Sequence, residues 1–309
     1  MSTQAIGNTG LPNGQKVGNV VVKGFLVQTF ADDRTRNEIN LTGAATTLTS
    51  VALEAHLVNP DASKRWYPLP KFYDAELPKA DPTFDTASDG TNFFIQDGIR
   101  SFSAIHKQQD TILLKALDTA ECGGVADWSI FLVDECEQIF VEEVEAGKGR
   151  PQKISGGTFN SIYQYASNTA TNNITIKYDF SKFVKDSRIQ LVQVDSDASI
   201  LEAIGVTPAT AVISAITTTT FTATMTFDAG YVGNKQVFTG AVIGDFDLDE
   251  ISPTPASIVI TTVTENPAAS GIYDFVFPLE TTADVLELTS STVGIATKFQ
   301  VRPASILIP

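Results

Sequence analysis

Basic side chains are scarce in this 309-residue chain: 21 lysines and arginines stand against 36 aspartates and glutamates, a formal net charge of −15. Such a surface repels phosphates, which argues against a protein that reads DNA or RNA sequence. Histidine and cysteine are rarer still, two of each. No C-x-x-C or neighbouring histidine completes a transition-metal site, so no metal is expected. Cys122 and Cys136, on either side of Trp128, are expected to be reduced thiols. No run of about 18 apolar residues is present to span a bilayer. The segment Met1 to Asn8 has no positive stretch leading into an apolar one. The chain is therefore expected to stay in a cytosol with no membrane partner, where the sequons at Asn40 and Asn173 carry no meaning. Catalytic signatures are missing too. There is no G-x-S-x-G elbow, no phosphate-binding G-x-x-x-x-G-K-[ST] and no G-x-G-x-x-G opening a helix. His56 and His106 read as structural. No catalytic residue and no cofactor is expected, and the chain is not read as an enzyme.

What is present is material for cores: 43% of residues are hydrophobic and only 18% charged. The length allows two ordinary domains or one large all-β domain. Residues 1–16, with Gly7, Gly10, Pro12 and Gly14, read as an extended arm. Gly18 to Phe30 reads as a strand, and Thr46 to Val58 as a second, with Leu48, Val51, Leu53 and Leu57 pointing inward. Residues 59–92 interleave five prolines with Trp66, Tyr67, Phe72, Tyr73 and Phe84. A loop of that length inside a compact domain is usually functional or lies against a neighbour. These five aromatics are therefore the candidates for contacts between subunits.

Phe93 to Ile105 reads as a strand interrupted by the turn signal Asp97-Gly98. The clearest helix is Asp110 to Glu121, capped by Asp110, with Ile112, Leu113, Ala116, Leu117 and Ala120 on one face and Gly123-Gly124 ending it. Trp128–Val133 and Ile139–Val144 read as paired strands. Thr158–Tyr165 pairs with Ile174–Phe180, and Ile189–Val194 follows.

After Asp195 the basic residues are only Lys235, Lys298 and Arg302, against 12 acidic ones. Short strands are expected at 221–227, 236–242, 257–263, 272–277, 285–288 and 298–308. Their spacing suggests an immunoglobulin-like sandwich. The expected domains are residues 1–205 and 206–309, with the boundary near 196–208.

Two acidic clusters stand out. Asp245, Asp247 and Asp249 resemble the start of a calcium loop, but Glu250 and Ala256 stand where an EF-hand needs Gly and Glu. Glu142, Glu143 and Glu145 form the other, followed by Lys148 and Arg150. Strand alternation would put Glu143 and Glu145 on one face.

Three segments carry a resemblance: Trp66-Tyr67-Pro68-Leu69-Pro70-Lys71, then Asp89 to Phe102, then Gly157-Thr158-Phe159-Asn160-Ser161. In this order the first 195 residues resemble the major tail (tail tube) proteins of tailed bacteriophages. The resemblance implies a mainly β fold: a tail-tube-like β-sandwich or barrel with one flanking helix, plus a C-terminal immunoglobulin-like domain. It implies homo-oligomeric rings, hexameric in that family, stacked into a tube that conducts DNA without binding it. Other virion proteins would be its partners, and it would be assembled in the bacterial cytoplasm. In such a tube Glu142, Glu143 and Glu145 are the lumen-facing candidates. Capsid decoration or head completion is the alternative virion role. A surface-glycan-binding module is the alternative from another class, disfavoured because no tryptophan follows residue 195.

Overall fold

The computed structural model describes residues 20–41, 47–59, 61–107, 111–122, 127–168, 171–194, 199–203, 205–228, 235–252, 255–280, 284–290, 299–301 and 304–309. The arm at 1–16, the cap at Asp110 and Gly123-Gly124 lie outside the described residues. The protein is mainly β and forms two compact units. One holds residues up to 109 together with 116–203; the other holds 110–115 and the chain from 204 onward.

The first unit is built on a nine-stranded sheet. Its main path runs Ile39–Asn40, Lys148–Arg150, Gln138–Glu145, Trp128–Asp134, Val21–Gln28, Tyr67–Pro68. Val21–Gln28 and Trp128–Asp134 pair antiparallel, with Phe25 opposite Phe131. Both read as nearly continuous apolar runs because the sheet is covered on both faces. One face carries Phe25, Val27, Phe131, Val133, Ile139 and Val141, closed by Leu53, Leu57 and Trp66. On the other face, Gly24 lets neighbours approach closely: a Cβ there would stand 3.0 Å from Ile130 and 3.3 Å from the Phe72 ring. Phe72 in turn meets Phe102 at 5.3 Å, and Phe102 stacks on Tyr178 at 4.8 Å. Phe102 and Tyr178 belong to a four-stranded sheet ordered Asn160–Gln164, Asn173–Asp179, Ser101–His106, Tyr73–Glu76, and Phe72 directly precedes its last strand, so the unit is a β-sandwich.

Thr46 to Val58 is not a strand. It forms a helix, Ser50–Leu57, after the two-residue strand Thr47–Leu48. Thr49 caps it, its Oγ1 accepting the Ala52 N–H at 3.2 Å. Leu53 and Leu57, four apart, are buried, whereas Val51 is exposed rather than inward. The helix expected at Asp110–Glu121 is present as Thr111–Cys122, and Ser50–Leu57 is a further short helix among the described residues.

The stretch 59–92 is not an unstructured loop either. It contributes Tyr67–Pro68, Tyr73–Glu76 and Thr83–Thr86 as strands. The strand expected at Phe93–Ile105 is two, Asn92–Gln96 and Ser101–His106, divided at Asp97-Gly98.

The second unit is a two-sheet sandwich. One sheet runs Thr262–Glu265, Ile272–Val276, Thr220–Asp228, Thr207–Ser214, Phe299–Val301; the other runs Ala256–Ile258, Phe246–Ser252, Val285–Ser290, Ala304–Leu307. Phe221, Met225, Tyr273 and Phe275 from the first share a core with Phe246, Leu248, Leu286 and Ile306 from the second. This connectivity is that of an immunoglobulin-like sandwich, with four main strands in one sheet and the intervening strands in the other. The strand Thr207–Ser214 went unread in the sequence. The expected 236–242 strand is only Lys235–Val237, 257–263 divides into Ala256–Ile258 and Thr262–Glu265, and 298–308 into Phe299–Val301 and Ala304–Leu307.

Candidate functional site

The five aromatics of 59–92 part company in the fold. Trp66 is buried, tilted against Phe25 and Phe131 and stacked on His56 at 4.5 Å. Burial also holds the His56 imidazole below its usual pKa. Phe72 is buried on the opposite sheet face. As subunit contacts these two are corrected: each closes one face of its own unit's central sheet and has no surface to offer. Tyr67 is half-buried, edge-on to Trp128, and donates its hydroxyl to the Ala62 carbonyl at 2.8 Å. Tyr73 is exposed, with the Lys107 ammonium 4.9 Å from its ring centre. Phe84 is exposed and belongs to the most unusual surface element of the chain.

That element is the hairpin of Thr83–Thr86 and Asn92–Gln96, a two-stranded sheet that pairs with no other strand among the described residues. Every residue in both strands is exposed. Phe84, Phe93, Phe94 and Ile95 are 53–61% exposed. Phe84 meets Phe94 edge-on at 6.0 Å, and alternation sends Phe93 and Ile95 to the other face, so neither face is covered. Its base is held. Lys79 Nζ bridges Asp97 and Asp186, each at 2.9 Å, and Arg100 pairs with Asp186 at 3.0 Å. Burial works against ionisation of Asp186, but Lys79 and Arg100 outweigh it and hold its carboxyl below the usual range. Gly98 packs so close to Ala80 that a Cβ would run into the Ala80 carbonyl, while Ala80 N–H donates to Ile99 at 3.0 Å.

The acidic run does not form one face. A bulge between Glu143 and Glu145 breaks the alternation that would have aligned them. Glu143 accepts the Gly147 N–H at 3.0 Å across the adjoining turn. Glu145 pairs with Arg150 at 3.3 Å and Lys148 at 3.7 Å, and both cations also hold Glu38. Glu142 is buried, and burial raises its carboxyl above the usual value although Arg188 and Arg150 are near. It lines a cavity of about 340 Å³ together with Arg36, Arg150, Lys153 and Arg188. Sequence reasoning missed this cavity, because its cations come from widely separated segments.

His106 is buried with Nδ1 3.1 Å from the Lys71 carbonyl oxygen. The Asp245 carboxylate accepts the Val242 N–H at 2.7 Å, a turn-capping role. No group of three potential ligands among the described residues is placed to hold a metal ion, and no helix among them is long and apolar enough to cross a membrane.

Compared with family models and with curated proteins, the chain matches none.

Proposed function

We propose that the protein is a structural subunit that assembles with copies of itself, as a bacteriophage tail-tube protein does. The observation that carries this reading is the Thr83–Gln96 hairpin. A lone two-stranded hairpin is marginal in water, and one bearing four large exposed apolar side chains makes sense when a partner covers it. The rigid base at Lys79, Asp97, Arg100 and Asp186 holds it out from the sandwich. The acidic balance of the chain supports a ring whose channel lets DNA slide without sticking. Other virion proteins would contact the ends of such a tube.

The test is sedimentation velocity and negative-stain microscopy of the purified chain. Rings or tubes with a central hole are expected, and a Phe84→Ser, Phe94→Ser chain should remain folded but unassembled. A wild-type chain that stays monomeric across a wide concentration range would overturn the reading.

A further inference from the structure

The hairpin and the cavity have opposite chemistry. From Ala80 to Ile99 the charged residues are Asp81, Asp85, Asp89 and Asp97, with no lysine or arginine among them. Asp97 is taken up by Lys79 at the base; the other three stay with the projecting aromatics. The cavity carries four cations and one carboxylate in a chain that is otherwise strongly acidic.

Those cations are unequally occupied. Arg150 holds Glu38 and Glu145, and Lys153 holds Asp127 at 2.7 Å. Arg36 and Arg188 pair with no carboxylate at ion-pair distance among the described residues. The Arg36 guanidinium instead lies over the Phe30 ring, 4.6 Å from its centre. Phe30 and the 72% exposed Phe183 give the cavity an aromatic rim. Aromatic faces beside planar guanidiniums accept an aromatic ring next to a carboxylate, and one face of the hairpin offers that pair as Asp85 and, directly across the strands, Phe93.

We propose that this cavity receives the Thr83–Gln96 hairpin of a second copy of the chain, with Arg36 and Arg188 meeting Asp85 within it and Asp81 just before it, and Phe30 and Phe183 meeting its exposed rings. The inference rests on the self-assembly reading and names the surface that assembly uses. Within one chain the hairpin does not fill the cavity: none of its residues lines it, and all of its strand residues are exposed. About 340 Å³ lies at the small end of ligand-sized pockets, room for a side chain or two at a hairpin's edge. Complementary charge at such a contact fixes register and excludes wrong pairings.

The experiment is a charge exchange in the full chain, read by sedimentation velocity at low salt. Arg36→Glu with Arg188→Glu, and separately Asp81→Lys with Asp85→Lys, should each raise the concentration for half-assembly about tenfold or more. All four changes in one chain should bring it back near the wild-type value. Thermal melts of the unassembled variants show whether each is folded. As a second measurement, Asp85→Cys and Phe183→Cys in a chain also carrying Cys122→Ser and Cys136→Ser should cross-link between copies on oxidation only when both are present. Pocket reversal that leaves assembly intact, failure of the fourfold exchange to restore it, or no paired cross-link overturns the inference while self-assembly stands. A wild-type chain that never assembles overturns both.

Discussion

Trp66 and Phe84 lie 18 positions apart in one Pro- and aromatic-rich stretch, yet they do opposite work. Trp66 is 2% exposed and touches rings on three sides. Trp66→Ala should lower the free energy of unfolding by about 3–5 kcal/mol, as large aromatic truncations in cores do, measured by urea denaturation. Phe84→Ser should change the stability of the unassembled chain by no more than about 0.5 kcal/mol, because the side chain is 53% exposed. Lys23 is a third case. It is 4% exposed, and its Nζ donates to the Leu201 and Ala203 carbonyls at 2.7 and 2.6 Å. Lys23→Met keeps the length but strands both acceptors, and the same denaturation should register a loss of about 1–3 kcal/mol.

At the scale of the element, the hairpin depends on its base. Gly98→Ala would drive a Cβ into the Ala80 carbonyl, so the backbone must part there. Hydrogen exchange of the Ala80 amide should speed up about tenfold or more, or about 1.4 kcal/mol of local stability, with the global unfolding transition little changed. The same base should respond to acid. Asp186 has a folded pKa below its unfolded one, so its contribution is complete above the ordinary carboxylate range. That contribution is lost as pH falls through that range toward the depressed folded value. The protection factors of the Ala80 and Ser101 amides, which discount the intrinsic pH dependence of exchange, should therefore fall on acidification, and Asp186→Asn should remove most of that change. An unchanged pH profile in Asp186→Asn would show that the ion pairs do not hold the hairpin.

For the whole molecule, the division into two units sets separate stabilities. The second unit's core draws on both of its sheets and closes around Phe221, Tyr273, Phe275 and Phe246. A fragment of residues 204–309 should give β-type circular dichroism and a single cooperative melt. A broad, non-cooperative melt would show that the sandwich needs the rest of the chain. The charge distribution also bears on assembly: the second unit is acidic almost throughout, whereas the paired and unpaired cations described here cluster on the first.

Local chemistry by itself determined a good deal. Period-2 patterning and turn residues marked the mainly β class, the interruption at Asp97-Gly98 and the short strands of the C-terminal sandwich. Period-3.6 patterning marked Thr111–Cys122. These signals are legible because they depend on neighbours a few residues away. Ser50–Leu57 was not, because a run of two turns of helix is too short for its period to outweigh an alternating reading. Only the tertiary structure decided which aromatics of 59–92 are core and which project, since a strand's register against Val21–Gln28 or Ser101–His106 selects the buried face. It alone joined Arg36, Arg150, Lys153 and Arg188 around Glu142, and alone set Val144 out as a bulge that parts Glu143 from Glu145. Those arrangements come from long-range strand pairing, to which no short window of residues responds.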